Sequence, residues 1–208
     1  MKNLPLLVIL LLLLFLIMSH RVEGYAAELS DMSTDTEAVS TYGLWYAEFM
    51  QIPNISRAQF YDIPLSDELQ QYTWNVCTYY ELQDYYTMFL AMMWQESDYR
   101  PGLVSKTNDY GIMQINKSNH KRLKKQLGIT DFLDAPQCIT AGITMMKEII
   151  IDEEVTDIHT ALMCYNMGST KALRKVKNGT TSTKYSRGVV DKQGQIEALI
   201  REEISPTI

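Results

Sequence analysis

The chain has 208 residues, of which 46% are hydrophobic and 21% are charged, so it holds enough apolar material for one core of ordinary size. This length predicts one domain, with room for a leader and a tail. The formal net charge of −6 argues against a general nucleic-acid-binding protein, because contacts with phosphates need a clustered basic surface.

The first segment has the pattern of an export signal. Lys2 supplies a positive charge, and residues 4–18 are almost continuously apolar, which is shorter than the ~20 residues of a membrane span. Gly24 and Ala26 are small residues suitably placed for cleavage after Ala26. We therefore predict a signal peptide over residues 1–26. The alternative is an uncleaved N-terminal anchor that contacts the membrane, and in either case the rest of the chain is exported, to the cell wall or beyond.

Residues 27–63 are predicted to form a spacer and an irregular N-terminal extension, because they are first polar without periodicity and then aromatic but interrupted by Pro53. The pattern changes at Ser66, a good N-cap that two acidic residues follow. Leu69 and the apolar or aromatic residues after it recur at helical spacing, which predicts a helix.

A second helix is predicted from about residue 83 to residue 99. Its middle, residues 85–94, is apolar nearly all round, which is typical of a buried central helix. Pro101 disfavours helical geometry at Arg100, so the helix should end there. After it, residues 109–111 predict a turn.

The rest of the pattern is mainly helical, apart from a short extended segment over residues 112–116. The helices are a basic one over residues 120–127, one that Asp134 caps and that continues to Ile150, one over residues 160–166 that Gly168 ends, and a last segment over residues 184–190. We predict a mainly α domain over residues 64–192 and a C-terminal tail over residues 193–208.

The three cysteines are Cys77, Cys138 and Cys164. Their spacing does not match a metal site, and histidine is scarce, so we expect no metal and no cofactor. We interpret them as small buried apolar residues. The alternative is one disulfide, whose pair the sequence does not choose.

Glu96 lies at the end of the apolar helix and is the main candidate for chemistry. It follows Met93 and Met92 by three and four residues, so it should share their buried or cleft-facing side. Burial and the negative end of the helix would both raise the pKa of Glu96. A carboxylic acid that stays protonated near neutral pH can act as a general acid. The alternative is a surface glutamate paired with Arg100.

Two further motifs contain polar groups that could bind a ligand. In Gly111-Ile112-Met113-Gln114, the glycine would let a ligand approach the backbone, and Gln114 offers a donor and an acceptor to a sugar. If this segment is extended, Ile112, Gln114 and Asn116 face one way. The other motif, Cys164-Tyr165-Asn166-Met167-Gly168, is by itself typical of a helix end.

Together and in this order, the motifs resemble those of the lysozyme-like soluble lytic transglycosylases, the SLT domain of glycoside hydrolase family 23. That family carries Glu-Ser after a buried helix, then Gly-Leu-Met-Gln, then Ala-Tyr-Asn-x-Gly. Ile112 and Cys164 depart mildly from this pattern, and Tyr185 resembles the late tyrosine of the family. The resemblance covers about residues 64–192 and implies a lysozyme-like fold with a small β-hairpin or extended segment beside the active-site cleft.

The resemblance also implies a reaction. Glu96 would protonate the oxygen of the β-1,4 bond between N-acetylmuramic acid and N-acetylglucosamine, and then deprotonate the muramyl C6 hydroxyl to close a 1,6-anhydro ring. The acetamide of the substrate would stabilise the cationic centre, so no second carboxylate is needed. The expected partner is the glycan strand of bacterial peptidoglycan, and we expect a monomer. The residues implied to bind or support the substrate are Ser97, Gly111, Met113, Gln114, Tyr165, Asn166 and Tyr185.

Asp109 is a candidate second carboxylate. Residues 109–116 also resemble the equivalent stretch of c-type lysozymes, in which this aspartate is catalytic and, in a retaining enzyme, ~5 Å from the acid. We favour the simpler interpretation that Asp109 bonds its own turn, and hence lytic transglycosylation over hydrolysis. A catalytically silent wall-binding or secretion-accessory module is the alternative of another class.

Overall fold

The computed structural model describes residues 58–201, and every structural statement below concerns this part of the chain. The predicted leader and most of the predicted spacer lie outside the described residues. Within residues 58–201, no helix combines the length and the hydrophobicity that a membrane span requires.

The described chain forms seven α-helices and one two-stranded antiparallel hairpin. The helices are α1 (Asp67–Tyr79), α2 (Tyr86–Ser97), α3 (Lys117–Leu127), α4 (Ala135–Lys147), α5 (Ile158–Met167), α6 (Ser169–Lys177) and α7 (Lys184–Glu197). A 3₁₀ turn (Gln83–Tyr85) precedes α2, and a π-helical turn (Glu148–Asp152) extends α4. The strands β1 (Asp109–Tyr110) and β2 (Ile115–Asn116) form the hairpin between α2 and α3.

Helix α2 is the buried central helix that the sequence predicts. From Phe89 to Met93 its residues have no exposed surface, and it packs most extensively against α7. It ends at Ser97, before the predicted stop, because Asp98 and Tyr99 adopt left-handed backbone conformations. Their amide groups donate to carbonyls of the last helical turn, as in common helix C-caps. Glu96, in the last turn of α2, is therefore held by a rigid helix whose middle is fully buried.

The other helices begin where side chains satisfy their free amide groups. The predicted caps are confirmed: Ser66 accepts from the amide of Leu69, and Asp134 accepts from the amide of Gln137. Thr183 starts α7 with a reciprocal capping box. Because these bonds are local, the positions of the helix starts follow from the nearby sequence.

Both ends of the predicted domain differ from the structure. Ala58 and Tyr61, in the predicted extension, are buried, and Tyr61 forms an antiparallel bridge with Ile200. Helix α7 continues through the fully buried Ile196, across the predicted start of the tail at residue 193. The two ends of the described chain thus meet and close the domain.

The cysteines are free and buried, which confirms their interpretation as apolar residues. Burial raises the pKa of Cys138 to about 12, so its thiol stays protonated. Its Sγ accepts from the amide of Met113 and donates to the carbonyl of Tyr110. Cys138 thereby joins α4 to the hairpin.

Candidate active site

Three separate segments of the chain meet at one cleft of about 130 Å³. Glu96 comes from the last turn of α2, Asp109 and Gln114 come from the hairpin, and Tyr165 and Asn166 come from the end of α5. The fold therefore brings together the three motifs that the sequence singles out.

Glu96 is largely removed from solvent at this cleft. Burial raises the pKa of Glu96 from 4.5 to about 7; a hydrogen bond from Tyr185 opposes the rise, and the carboxylate of Asp109 adds to it. Tyr185 Oη donates to Glu96 Oε1 over 2.5 Å. Arg100 Nε donates to the carbonyl of Ser97 over 2.8 Å instead of pairing with Glu96, which excludes the surface-pair alternative. Glu96 can thus hold a transferable proton near neutral pH.

Two tyrosines enclose the acid. Tyr165 Oη donates to the carbonyl of Met113 over 2.9 Å, which ties α5 to the hairpin turn. Burial raises the pKa of both Tyr165 and Tyr185 well above the ordinary value, and the negative charge of Glu96 adds to the rise. Both phenols therefore remain protonated donors at neutral pH.

Residues 111–114 form the tight turn of the hairpin and not an extended segment. The predicted alternation of faces does not hold, because Ile112 and Met113 are both fully buried. Gly111 has a φ of 77°, and a Cβ there would lie 2.1 Å from the carbonyl oxygen of Phe132. The backbone of Phe132 occupies the space that the missing side chain leaves, so the packing of the turn requires Gly111, and its contact with a substrate stays a prediction.

Three other predicted site residues form contacts within the protein. Met113 packs its sulfur against Gly142 and reaches the cleft only through Tyr165, which binds its carbonyl. Ser97 Oγ donates to the carbonyl of Ile112 over 2.8 Å, which joins the end of α2 to the turn. Gln114 lines the cleft, but its amide nitrogen donates to the carbonyls of the turn and the preceding loop. These residues support the walls of the cleft and fix the position of Glu96 relative to the hairpin.

Asp109 uses its carboxylate within its own turn. Its oxygens accept from Ser105 Oγ and Asn116 Nδ2, each over 2.7 Å, and from Thr107 Oγ1 over 2.5 Å. Burial works against the charge, but the three hydrogen bonds together lower the pKa of Asp109 below its ordinary value. Asp109 is therefore ionised and already bonded to its turn.

The sequence did not single out four residues that line the cleft. Asn116 appeared only as part of the predicted extended segment, and Asn119 lies on α3, whose pattern indicates nothing beyond a basic helix. The other two are the apolar residues Ile115 and Met145. No local signal marks a residue that enters a cleft through tertiary packing alone.

Comparison with known proteins identifies the family. The sequence model of the Transglycosylase SLT domain matches residues 80–187, just over half of the chain. The membrane-bound lytic murein transglycosylase F of Desulfosudis oleivorans is 31% identical over 86 residues, and that of Klebsiella pneumoniae is 32% identical over 88 residues. Each match covers 39% of this chain but only 18% and 16% of the two relatives, so the chain spans less than a fifth of their length.

A solved structure shows the same fold. The structure of an inactive mutant of the lytic transglycosylase Slt from Pseudomonas aeruginosa superposes with a TM-score of 0.54 at 15% identity, over 67% of this chain and 25% of that chain. This likeness confirms the predicted mainly α, lysozyme-like fold with a small hairpin. Since the family model also covers more than half of the residues, the chain belongs to the transglycosylase SLT domain family.

Proposed function

We propose that the protein is a peptidoglycan lytic transglycosylase, which cleaves the β-1,4 bond between N-acetylmuramic acid and N-acetylglucosamine and leaves 1,6-anhydromuramyl ends. The observation that carries the proposal is Glu96, a largely buried carboxylic acid with a pKa of about 7 at a cleft that the other two motifs also line. Membership of the SLT family supports the same reaction.

In the proposed reaction, the carboxyl group of Glu96 first donates a proton and then accepts another. Tyr185 donates to Oε1 of Glu96, so the proton to be transferred resides on Oε2. This proton passes to the glycosidic oxygen as the bond from C1 breaks, and the substrate acetamide stabilises the positive charge. Glu96 then removes the proton of the C6 hydroxyl, whose oxygen bonds to C1, so that no water is consumed.

The mass of the products tests this proposal. Digestion of peptidoglycan is expected to release muropeptides that are one water lighter than the products of hydrolysis, because the 1,6-anhydro ring forms without water. Mass spectrometry distinguishes the two product series directly. Reducing-end muramic acid as the main product would show that the protein is a hydrolase.

The hydrogen bond from Tyr185 should set the upper pH limit of the reaction. This bond lowers the pKa of Glu96, so its loss in Tyr185→Phe raises that pKa above about 7. Because a general acid fails when it loses its proton, activity falls as pH rises through this pKa. We expect the alkaline limb of kcat/KM to move up by about half to one pH unit, the size of a single hydrogen bond.

Profiles of kcat/KM against pH for the two proteins measure this shift. Tyr80→Phe is a suitable control, because it removes a phenol that donates or accepts at Thr144, and Tyr80 does not line the cleft. A limb that stays in place, or moves to lower pH, would contradict the assigned role of Tyr185.

A hydrolytic lysozyme that uses Glu96 and Asp109 is the second candidate, since the two carboxyls share the cleft. It is not favoured, because both oxygens of Asp109 already accept hydrogen bonds, one from Ser105 in the preceding loop and the other from Asn116 on the facing strand. A catalytically silent module is also not favoured, because the buried acid and its two tyrosines are all in place.

We further propose that the protein acts as a monomer on the exported side of the cytoplasmic membrane, where its substrate lies. The leader pattern of residues 1–26 supports export. The two curated relatives are named as membrane-bound, which fits a site near the membrane surface.

A further inference from the structure

A second concavity, of about 670 Å³, lies along α7. Gln95 and Tyr185 form its inner wall; Gln95 directly precedes Glu96, and Tyr185 donates to Glu96. We call this concavity the α7 groove. Its other lining residues are Lys184, Arg187, Gly188, Asp191 and Lys192. The groove and the cleft share no lining residue, but the hydrogen bond from Tyr185 to Glu96 places their walls one side chain apart.

The lining of the α7 groove is positively charged. The six lining residues from α7, which include Tyr185, recur at intervals of three and four and so lie on one helix face. Lys184, Arg187 and Lys192 face a single acid, Asp191, although the whole chain has a net charge of −6. No acidic residue occurs in the sequence between Asp157 and Asp191. The groove is therefore suited to an anionic ligand.

Ion pairing within the protein does not account for these cations. Lys184 is the first residue of α7, where the helix dipole disfavours positive charge, whereas the basic residues in the last turn of α6 are favoured by theirs. Arg187 donates to Ser182 Oγ, and Lys192 lies 5.2 Å from the ring centre of Trp94. Among the residues described, none of the three forms an ion pair.

Gly188 keeps the groove open. A Cβ at this position would lie 3.0 Å from Oε1 of Gln95, so any side chain would push against the inner wall and fill the space above it. The volume of the groove falls within the ~300–1,000 Å³ typical of sites for small ligands. The volume of the α7 groove, its access to solvent and its positive charge together suit a short anionic chain.

We propose that the α7 groove binds the peptide stem of the muramyl residue whose glycosidic bond Glu96 breaks, through pairing of the stem carboxylates with Lys184, Arg187 and Lys192. This inference rests on the proposed function. The stem branches from the same sugar that Glu96 protonates, so it leaves the cleft close to Glu96. Peptide stems carry several carboxylates and few cationic groups, which matches the charge of the groove.

The test compares two substrates and, beside the wild-type protein, two charge-reversed variants, one in the groove and one outside it. Glycan strands with stems, and the same strands stripped of stems by an amidase, are digested by the wild-type protein and by the double variant Lys184→Glu/Arg187→Glu. The measured quantity is the ratio of kcat/KM for stem-bearing strands to that for stem-free strands. We expect the ratio to exceed one for the wild type and to fall about tenfold in the variant, as two partly exposed ion pairs are lost.

A matched control separates a local site from general attraction. Lys171→Glu/Lys175→Glu makes the same change of charge on exposed residues of α6 outside the groove and should leave the ratio unchanged. An equal fall in this control would contradict the inference, as would a wild-type ratio near one that the groove variant does not move. If the double variant unfolds, Lys192→Gln replaces it and should lower the ratio by a few-fold.

Failure of the proposed function has a different signature. If the wild-type protein cleaves neither substrate, or gives hydrolytic products, the proposed function fails. If it gives anhydro products from both substrates with equal efficiency, the function stands and only the inference on the groove is overturned.

Discussion

Replacing Glu96 with glutamine is expected to lower cleavage of peptidoglycan by ~100-fold or more, because the amide can neither donate nor recover a proton. The side chain keeps its size and can still accept the hydrogen bond from Tyr185, so the cleft should keep its shape. Release of soluble muropeptides measures the loss. Retention of more than about a tenth of the activity would contradict the assignment of Glu96 as the acid.

The same variant should gain stability at alkaline pH. The pKa of Glu96 rises from 4.5 to about 7 on folding, so its contribution to the free energy of unfolding is fully present below pH 4.5 and is lost as pH rises through 7. The difference corresponds to ~3 kcal/mol at most, and glutamine does not incur it. The thermal midpoint of Glu96→Gln should therefore exceed that of the wild type by more at pH 8 than at pH 4.5.

Glu68→Gln is the matched control for both measurements. Glu68 is exposed in the first turn of α1 and lies outside the cleft. Its substitution should leave cleavage intact and should produce no comparable change in the thermal midpoint between the two pH values. If the thermal midpoint of Glu96→Gln exceeds that of the wild type equally at both pH values, this result would contradict the burial of Glu96.

Local signals in the sequence predicted the framework of the fold. Ser66 and Asp134 cap their helices through bonds to amides three residues away, so short segments contain the whole interaction. The early end of α2 depends instead on left-handed backbone at Asp98 and Tyr99. Residues other than glycine seldom adopt this conformation; aspartate does so more often than most, but tyrosine gives no such signal.

Helix α6 was not predicted from the sequence. Only Ala172 of this helix is buried, and Leu173 is 44% exposed. Ala172 and Val176 nevertheless recur at helical spacing among basic residues, so the sequence does contain the pattern of a short amphipathic helix. Its stability comes from contacts with α5, which lie outside the reach of a local pattern.

The same distinction between local and tertiary interactions applies to the candidate site. The place of Glu96 follows from helical spacing after Met92 and Met93, because a helix fixes which residues share a face. The roles of Gly111 and Met113 depend on Phe132 and Gly142, which approach them only in the folded chain. The sequence motif thus located these two residues but could not show which protein atoms pack against them.

The hydrogen bonds of Asp109 predict how a change at this residue differs from one at Glu96. Asparagine keeps one acceptor oxygen but turns the other into a donor, so the bonds from Ser105 and Thr107 or the bond from Asn116 must rearrange. The loss of a charge that raises the pKa of Glu96 should also move the alkaline limb of activity to lower pH, opposite to the effect of Tyr185→Phe.

In a lytic transglycosylase, Asp109→Asn should therefore lower kcat/KM by less than about tenfold, since a turn hydrogen bond contributes ~1 kcal/mol. Its products should remain 1,6-anhydromuropeptides. Ser105→Ala removes one of the same turn bonds without altering the carboxylate, so it should cause a loss of similar size. In a retaining hydrolase, Asp109 would instead attack or stabilise C1, and Asp109→Asn would be nearly as damaging as Glu96→Gln while Ser105→Ala was mild. A collapse of activity confined to Asp109→Asn, together with reducing-end muramic acid from the wild type, would make the protein a hydrolytic lysozyme.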